Sequence, residues 1–347
     1  MKYITILLFS LLFIESLSFS QEDDEVEIVN SYDNTEELLQ KFPVINPTTV
    51  YEGLEAKIQN RLLTGFENWN RGFAAWKKWG DILYTEDSIY NVHGARLSLA
   101  SYQAAMDIAL KRTNILMGDF HNMIICDDFT AIRYDIVTIV GDKENPGTVM
   151  EFVKFKDYGD DLGTRVVEGW GSTKSSNYDN MILFQGPEEK KVQEEQIEYM
   201  MNYEIPETDD LQQKYPVTYP SKYTDRTSKE ILHIILKGFD SWNQGIDTYL
   251  KWVREGYADD AESTGIDDKV RTMLDYQLEM KSLVKKENIK KLYFENILIR
   301  DNWAAIHYRY RKEDLVTGEN YVGDRMQFMK FEEKEGEGFK IVASWIQ

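Results

Sequence analysis

A chain of 347 residues, 42% hydrophobic and 29% charged, is long enough for two globular cores of roughly 100–200 residues each. Its formal net charge of −20, from 60 acidic against 40 basic side chains, opposes nucleic acid or an anionic membrane as a partner, since both carry the same sign. The single cysteine, Cys126, leaves no intramolecular disulfide and no cysteine-rich zinc site.

The chain opens on the pattern of an export signal. Lys2 is followed by an apolar run over 4–14, broken only by Thr5 and Ser10, and Ser18 and Ser20 supply small residues for a cleavage site. The run is shorter than the ~20 residues of a membrane span. A signal peptide over 1–20 is therefore expected, with a mature chain from about Gln21, secreted or periplasmic and free of the membrane after cleavage. With no cysteine at the cleavage site, no lipid anchor is expected. Residues 21–34 read as an acidic tether unable to bury apolar surface.

A first domain is expected over 35–180. Leu54, Ile58, Leu62, Phe66, Trp69, Phe73 and Trp76 fall at helical spacing and predict a helix over 51–79, with Gly65 and Gly72 as points where it can bend or break. A second helix is expected over 98–112, with Ser98 as its N-cap. The period then changes to that of strands, over 120–126, 129–140, 148–156 and 164–172. Residues 181–207 read as a charged linker, with 187–196 a charged helix or linker that carries no core. A second domain follows over 208–347, with helices over 227–254 and 269–286 and strands over 289–300, 303–311, 321–331 and 339–345. Helices first and an antiparallel meander after them is an α+β layout.

The second domain repeats the first. Residues 35–44 return as 208–217. Gly65, Phe66, Trp69, Asn70 and Gly72 return as Gly238, Phe239, Trp242, Asn243 and Gly245, and Trp79 returns as Trp252. The shift is 173 throughout (208 − 35, 238 − 65, 252 − 79), which points to two copies of one domain.

Each copy resembles the NTF2-like superfamily, in particular its SnoaL-like polyketide cyclase branch. The likeness rests on Trp69-Asn70-x-Gly72 late in the first helix, on residues 84–94, similar to the family's short apolar strand after an acidic turn, and on the sheet segments around Arg133-Tyr134, Glu151-Phe152 and Glu168-Gly-Trp170. In the second copy the sheet segments are those around His307-Tyr308, Gln327-Phe328 and Trp345. The resemblance implies two tandem cone-shaped domains, each with N-terminal helices packed on a curved antiparallel sheet around a pocket. Members of the family include cyclases, isomerases, dehydratases and plain binding modules, so function has to be read from the site.

In such a cone, strand residues of one parity face the pocket. Arg133 and Asp135 share a parity, as do Glu168 and Trp170, and Glu151 and Val153. His93, Asp135 and Glu168 are the acid–base candidates, because a carboxylate beside apolar walls has a raised pKa and histidine titrates near neutrality. Tyr90, His121, Arg133, Glu151 and Trp170, with His307, Arg309 and Trp345 of the second copy, are the expected ligand-binding residues. The copies differ where chemistry would sit: Glu168 falls opposite Ala343 and Arg133 opposite His307. No nucleophile elbow, P-loop, zinc-protease motif or dinucleotide fingerprint is present, so neither cofactor nor metal is expected.

The leading expectation is an exported protein that binds a small apolar or aromatic molecule. One alternative is a cyclase, isomerase or dehydratase working from the first copy. Another is a structural or interaction module with filled cones. The two domains are expected to pair within the chain, with a homodimer as a further option.

Overall fold

The computed structural model describes residues 26–92, 94–111, 113–173 and 181–347. The expected signal peptide and His93 lie outside the described residues.

The first long helical run is two helices, α2 (Gly53–Asn70) and α3 (Phe73–Leu83), after a short α1 (Thr35–Lys41). The break falls at Gly72, whose φ of +115° suits glycine alone. The second copy breaks identically, between α7 (Arg226–Gln244) and α8 (Ile246–Gly256), at Gly245 with φ +120°. Gly65 and Gly238 do something else. They lie inside their helices, and a methyl group there would come within 2.9 Å of Trp79 and 2.5 Å of Trp252. Each glycine is a slot for the tryptophan of the next helix. Gly238→Ala is accordingly expected to lose about 1–3 kcal/mol by overpacking, read as a lowered thermal midpoint.

The Trp-Asn pair explains its own recurrence. Trp69 Nε1 donates to Ile115 O at 2.6 Å, and Asn70 bonds both to Met117 O (2.9 Å) and from Met117 N (2.8 Å). These backbone groups belong to β4 (Asn114–Cys126), next to a register shift in its pairing with the following strand. Trp242 and Asn243 do the same for Ile289 and Lys291 on β11 (Glu287–Arg300), again beside a register shift. An unpaired buried amide or carbonyl costs about 1–3 kcal/mol, so the pair holds each bulge in place.

Each domain carries a seven-stranded sheet. In the first, β4, β5 (Phe129–Val140), β6 (Lys143–Asp157) and β7 (Thr164–Thr173) form the expected meander. Three strands not expected from pattern extend it: β1 (Val44–Asn46) beside β4, then β2 (Tyr84–Val92) and β3 (Ala95–Ser98) beside β7. Pairing of β1 with β4 and of β2 with β7 is parallel, so the sheet is mixed rather than antiparallel. A strand that enters from a helix on the covered face lies alongside the meander without a hairpin to reverse it. The second sheet repeats this order with β8 (Val217–Pro220), β9 (Tyr257–Thr264), β10 (Val270–Thr272), β11, β12 (Trp303–Asp314), β13 (Asn320–Lys334) and β14 (Gly338–Ile346).

The remaining helices also differ in detail from pattern. The expected 98–112 helix is α4 (Leu99–Leu110), capped by the Ser98 side chain on Ser101 N. The charged segment is a regular helix, α5 (Pro187–Asn202), with Met200 buried. A one-turn α6 (Leu211–Lys214) precedes β8, and α9 (Met273–Leu283) follows β10.

Alternation along the strands sorts the side chains into two cores. Ile132, Tyr134 and Ile136 face the helices of domain 1, where Phe66 stacks on Phe120 at 4.3 Å. Phe239 stacks on Phe294 at 4.0 Å in the matching place of domain 2. The opposite faces of the two sheets meet each other. Ile124, Phe129, Ala131, Met150, Phe152 and Trp170 of domain 1 pack on Leu298, Trp303, Ala305, Met326 and Phe328 of domain 2, all buried. Polar ties frame this contact: Arg300 donates to Ile125 O and pairs with Glu55, and Gln347 Nε2 donates to Thr148 O at 2.8 Å. Cys126 is buried at its edge, and burial pushes its thiol up to about 12.

Candidate functional site

Structural register refines the sequence repeat. Asn70 and Asn243 differ by 173, yet they bond Met117 and Lys291, which differ by 174. Ala131 pairs with Phe152 as Ala305 pairs with Phe328, so the third long strand is shifted by 176 (328 − 152). In this register Glu151 corresponds to Gln327, Met117 to Lys291, His121 to Glu295 and Asp135 to Arg309.

The interior of domain 1 contains a cavity of about 60 Å³. Its walls include Phe66, Trp69, Trp76, Trp79, Tyr84 and Tyr102. That is room for a few water-sized groups and well below the ~300 Å³ of an ordinary ligand pocket. One carboxyl reaches it. Oε1 of Glu151 accepts from Tyr90 Oη at 2.6 Å and from Tyr134 Oη at 2.9 Å. Burial raises the Glu151 carboxyl above its ordinary range, and the two tyrosine hydrogen bonds only partly oppose this. Tyr90 stacks on Tyr102 at 4.4 Å, which fixes its hydroxyl on the acid. The other charged group on the wall, Arg61, is engaged elsewhere, donating to Asn30 Oδ1 (2.6 Å) and Leu162 O (2.8 Å).

Domain 2 has the opposite charge at its centre. Lys291 extends from β11 so that its ammonium lies 4.6 Å from the Phe239 ring, 5.3 Å from Trp242, 5.4 Å from Tyr308 and 5.6 Å from Tyr249. No carboxylate pairs with it among the described residues. Burial, with Arg325 adding like-charge repulsion, lowers its pKa to about 7. Where domain 1 has Met117 and an acid, domain 2 has a lysine and an amide.

The remaining candidates are distributed over three places. Arg133, Trp170, His307 and Trp345 lie on the outer faces, between the two sheets, rather than inside a cone. Arg133 covers the Trp345 ring at 4.4 Å and donates to Asn122 Oδ1, and burial lowers its pKa to about 10. His307 is fully buried, with Nε2 2.7 Å from Asp324 Oδ2 and its ring against Trp170. Burial alone would raise the Asp324 carboxyl, but His307 and Arg309 hold it well below its usual range. His121 and Asp135 form a cross-strand pair at 2.8 Å, half-exposed. Its counterpart in domain 2 is Glu295 with Arg309, at 2.7 Å, with the signs reversed. Glu168 lies beside Asn91 and Arg96, both at 3.4 Å, and accepts from Tyr219 of domain 2 at 3.1 Å. Asp135 and Glu168 therefore bond to different partners and form no acid–base pair. Parity alone explains these placements: the row containing Arg133 and Asp135 alternates with the helix-facing row of Tyr134, and a sheet face that meets a second sheet is buried too.

Sequence reasoning passed over Lys291, Tyr134 and Arg96. A one-residue correction of the repeat at the bulge would have exposed the Met117-to-Lys291 exchange. Among the described residues no group of three or more His, Cys, Asp or Glu is placed to hold a metal ion, and no helix is long and apolar enough to cross a membrane.

No family model matches the chain, and neither does any curated protein. Solved structures are similar to it over about a third of its length. A ketosteroid isomerase-like protein from Erwinia carotovora atroseptica is 9% identical, over 35% of this chain and 96% of that one, with a TM-score of 0.30. A protein from Mesorhizobium loti, named for its likeness to SnoaL polyketide cyclases, is 15% identical over 34% and 97%, with a TM-score of 0.27. An NTF2-like protein of unknown function from Burkholderia pseudomallei is 9% identical over 33% and 88%, at 0.29. Likenesses of this grade carry nothing about substrate or activity.

Proposed function

We propose that this chain is an exported small-molecule-binding protein in which domain 1 holds the ligand and domain 2 braces it. The observation that carries the reading is the Glu151 carboxyl, raised by burial and held by two tyrosine hydroxyls on the wall of an aromatic cavity. A buried carboxyl with raised proton affinity suits one polar atom on an otherwise apolar or aromatic molecule. The cavity volume restricts the occupant to a few heavy atoms unless a ring moves aside. In domain 2 the matching aromatic rings face the Lys291 ammonium instead. Binding is favoured over acid–base catalysis because Arg61, the second charged group on that wall, is turned to other partners.

Native mass spectrometry of the chain purified from its own host tests this. The expected result is a protein starting near Gln21 that retains a small molecule, with retention at least about tenfold weaker in Glu151→Gln. A clean unliganded mass for both proteins would overturn ligand binding in domain 1. An intact N-terminus at Met1 would overturn export.

A further inference from the structure

Two spaces suited to a ligand lie between the domains, outside both interiors. Helix α5 crosses the seam between the sheets and roofs two adjoining cavities of about 280 and 390 Å³. They share Asn91, Arg96, Gln196 and Arg309 on their walls, so they form one cleft built from both domains and the helix between them. Polar ties hold the roof: Glu189 Oε1 accepts from Ser98 N at 2.8 Å and from Ser101 Oγ at 3.2 Å.

Three features define what fits. The first is charge. Arg96, Arg309 and Arg325 on the walls are matched by Glu168, Glu295 and Asp324, and Arg96 and Arg309 are already paired with acids of that set. An ionic ligand of either sign would meet repulsion from one half of this set or have to break a pair. The second is unspent hydrogen-bonding capacity. Among the described residues, Arg96 makes no side-chain bond beyond the one from Nη1, and Arg309 none from Nη2. Gln347 Oε1, on the wall of the smaller cavity, is buried with no partner. The third is a cluster of tyrosine rings lining the larger cavity: Tyr203 lies 5.1 Å from Tyr293 and 5.7 Å from Tyr199, which is 57% exposed.

We infer that this cleft binds a neutral saccharide of about disaccharide size. A sugar ring presents hydroxyls at its edge for planar groups such as guanidinium and amide, and C–H faces for tyrosine rings, while carrying no net charge. The combined space falls in the ~300–1,000 Å³ range of small-molecule sites. The arrangement is independent of the domain 1 interior, so Glu151→Gln leaves it intact.

Calorimetric titration of the full mature chain with maltose, cellobiose, lactose and chitobiose, and with digalacturonate as the anionic comparator, tests the inference. At least one neutral sugar is expected to bind with Kd of about 1 mM or tighter, and more tightly than digalacturonate. Tyr199→Ala and Gln196→Ala, both solvent-exposed residues of α5 that line the cleft and lie outside the cores, are each expected to weaken it by about fivefold or more. Absence of binding by all four neutral sugars at about 10 mM would overturn it. Tighter binding of digalacturonate, or affinity unchanged in both variants, would do the same.

Discussion

Phe328→Ala is expected to separate the two domains before it unfolds either. Phe328 is fully buried in the inter-sheet cluster that also holds its structural counterpart Phe152, clear of the helix-facing cores. Truncating a buried phenylalanine costs about 3–5 kcal/mol, the sum of lost transfer free energy and the cavity left behind. Here nearly all of that loss falls on docking, because the helix-facing row of β13, with Met329 and Phe331, is untouched. Calorimetry should show the single transition of the parent chain giving way to two, with far-ultraviolet circular dichroism unchanged at 25 °C. One transition at a much lower midpoint would show instead that neither domain stands without the other.

The physical reason for this pairing also explains how far the sequence could be read. Helix-facing positions were legible because Phe66, Trp69 and Phe239 recur at helical spacing in both copies, and because the long strands alternate cleanly. Gly72 was visible as a point of breakage, whereas Gly65, read the same way, lies inside its helix, and the break at Gly245 falls within a run read as one helix over 227–254. The outer row was harder. Ala131, Phe152 and Trp170 are as apolar as any core row, and pattern alone cannot say whether such a face meets a ligand, a helix or a second sheet. The strands β1 and β3 were invisible because three or four residues carry too little alternation, and β2 was legible only through the family resemblance because Glu86, Asp87 and Asn91 interrupt its apolar pattern. Helix α5 read as a charged helix or linker carrying no core because it docks mainly through polar groups and Met200, which leave no apolar stripe.

The same comparison separates scaffold from site. Positions that must fill space are retained between copies: Trp69 and Trp242, Ala131 and Ala305, Phe152 and Phe328. Positions that carry charge are exchanged: Glu151 for Gln327, Met117 for Lys291, and the His121–Asp135 pair for Glu295–Arg309. Packing constrains volume tightly, since a change of one methylene is felt, whereas a charge on a partly solvated wall is free to change sign when its neighbour changes with it. The two interiors are thus one scaffold with different electrostatics, and ligand binding in one does not imply it in the other.

Lys291→Met is expected to stabilise the chain, and by an amount that depends on pH. Domain 1 shows that methionine fits this position, since Met117 occupies it there among the same types of aromatic neighbour. In the folded protein the Lys291 ammonium has lost most of its hydration and feels the like charge of Arg325, which together lower its pKa to about 7 from an ordinary value near 10.4. Below pH 7 both folded and unfolded chains carry the proton, and the full cost of burying the charge falls on the native state. Between about pH 7 and 10.4 the unfolded chain holds more protons than the folded one, so stability rises with pH as that cost is relieved. Attraction to the four aromatic faces offsets about 0.5–2 kcal/mol of it, and partial contact with solvent reduces it further. The net advantage of the methionine variant is therefore about 2–3 kcal/mol at pH 7, shrinking below about 1 kcal/mol by pH 9.5. Urea unfolding of both proteins at the two pH values measures it. An advantage that stays constant with pH would mean that Lys291 is not desolvated. A destabilised variant would mean that the cage gains more from the cation than burial costs it.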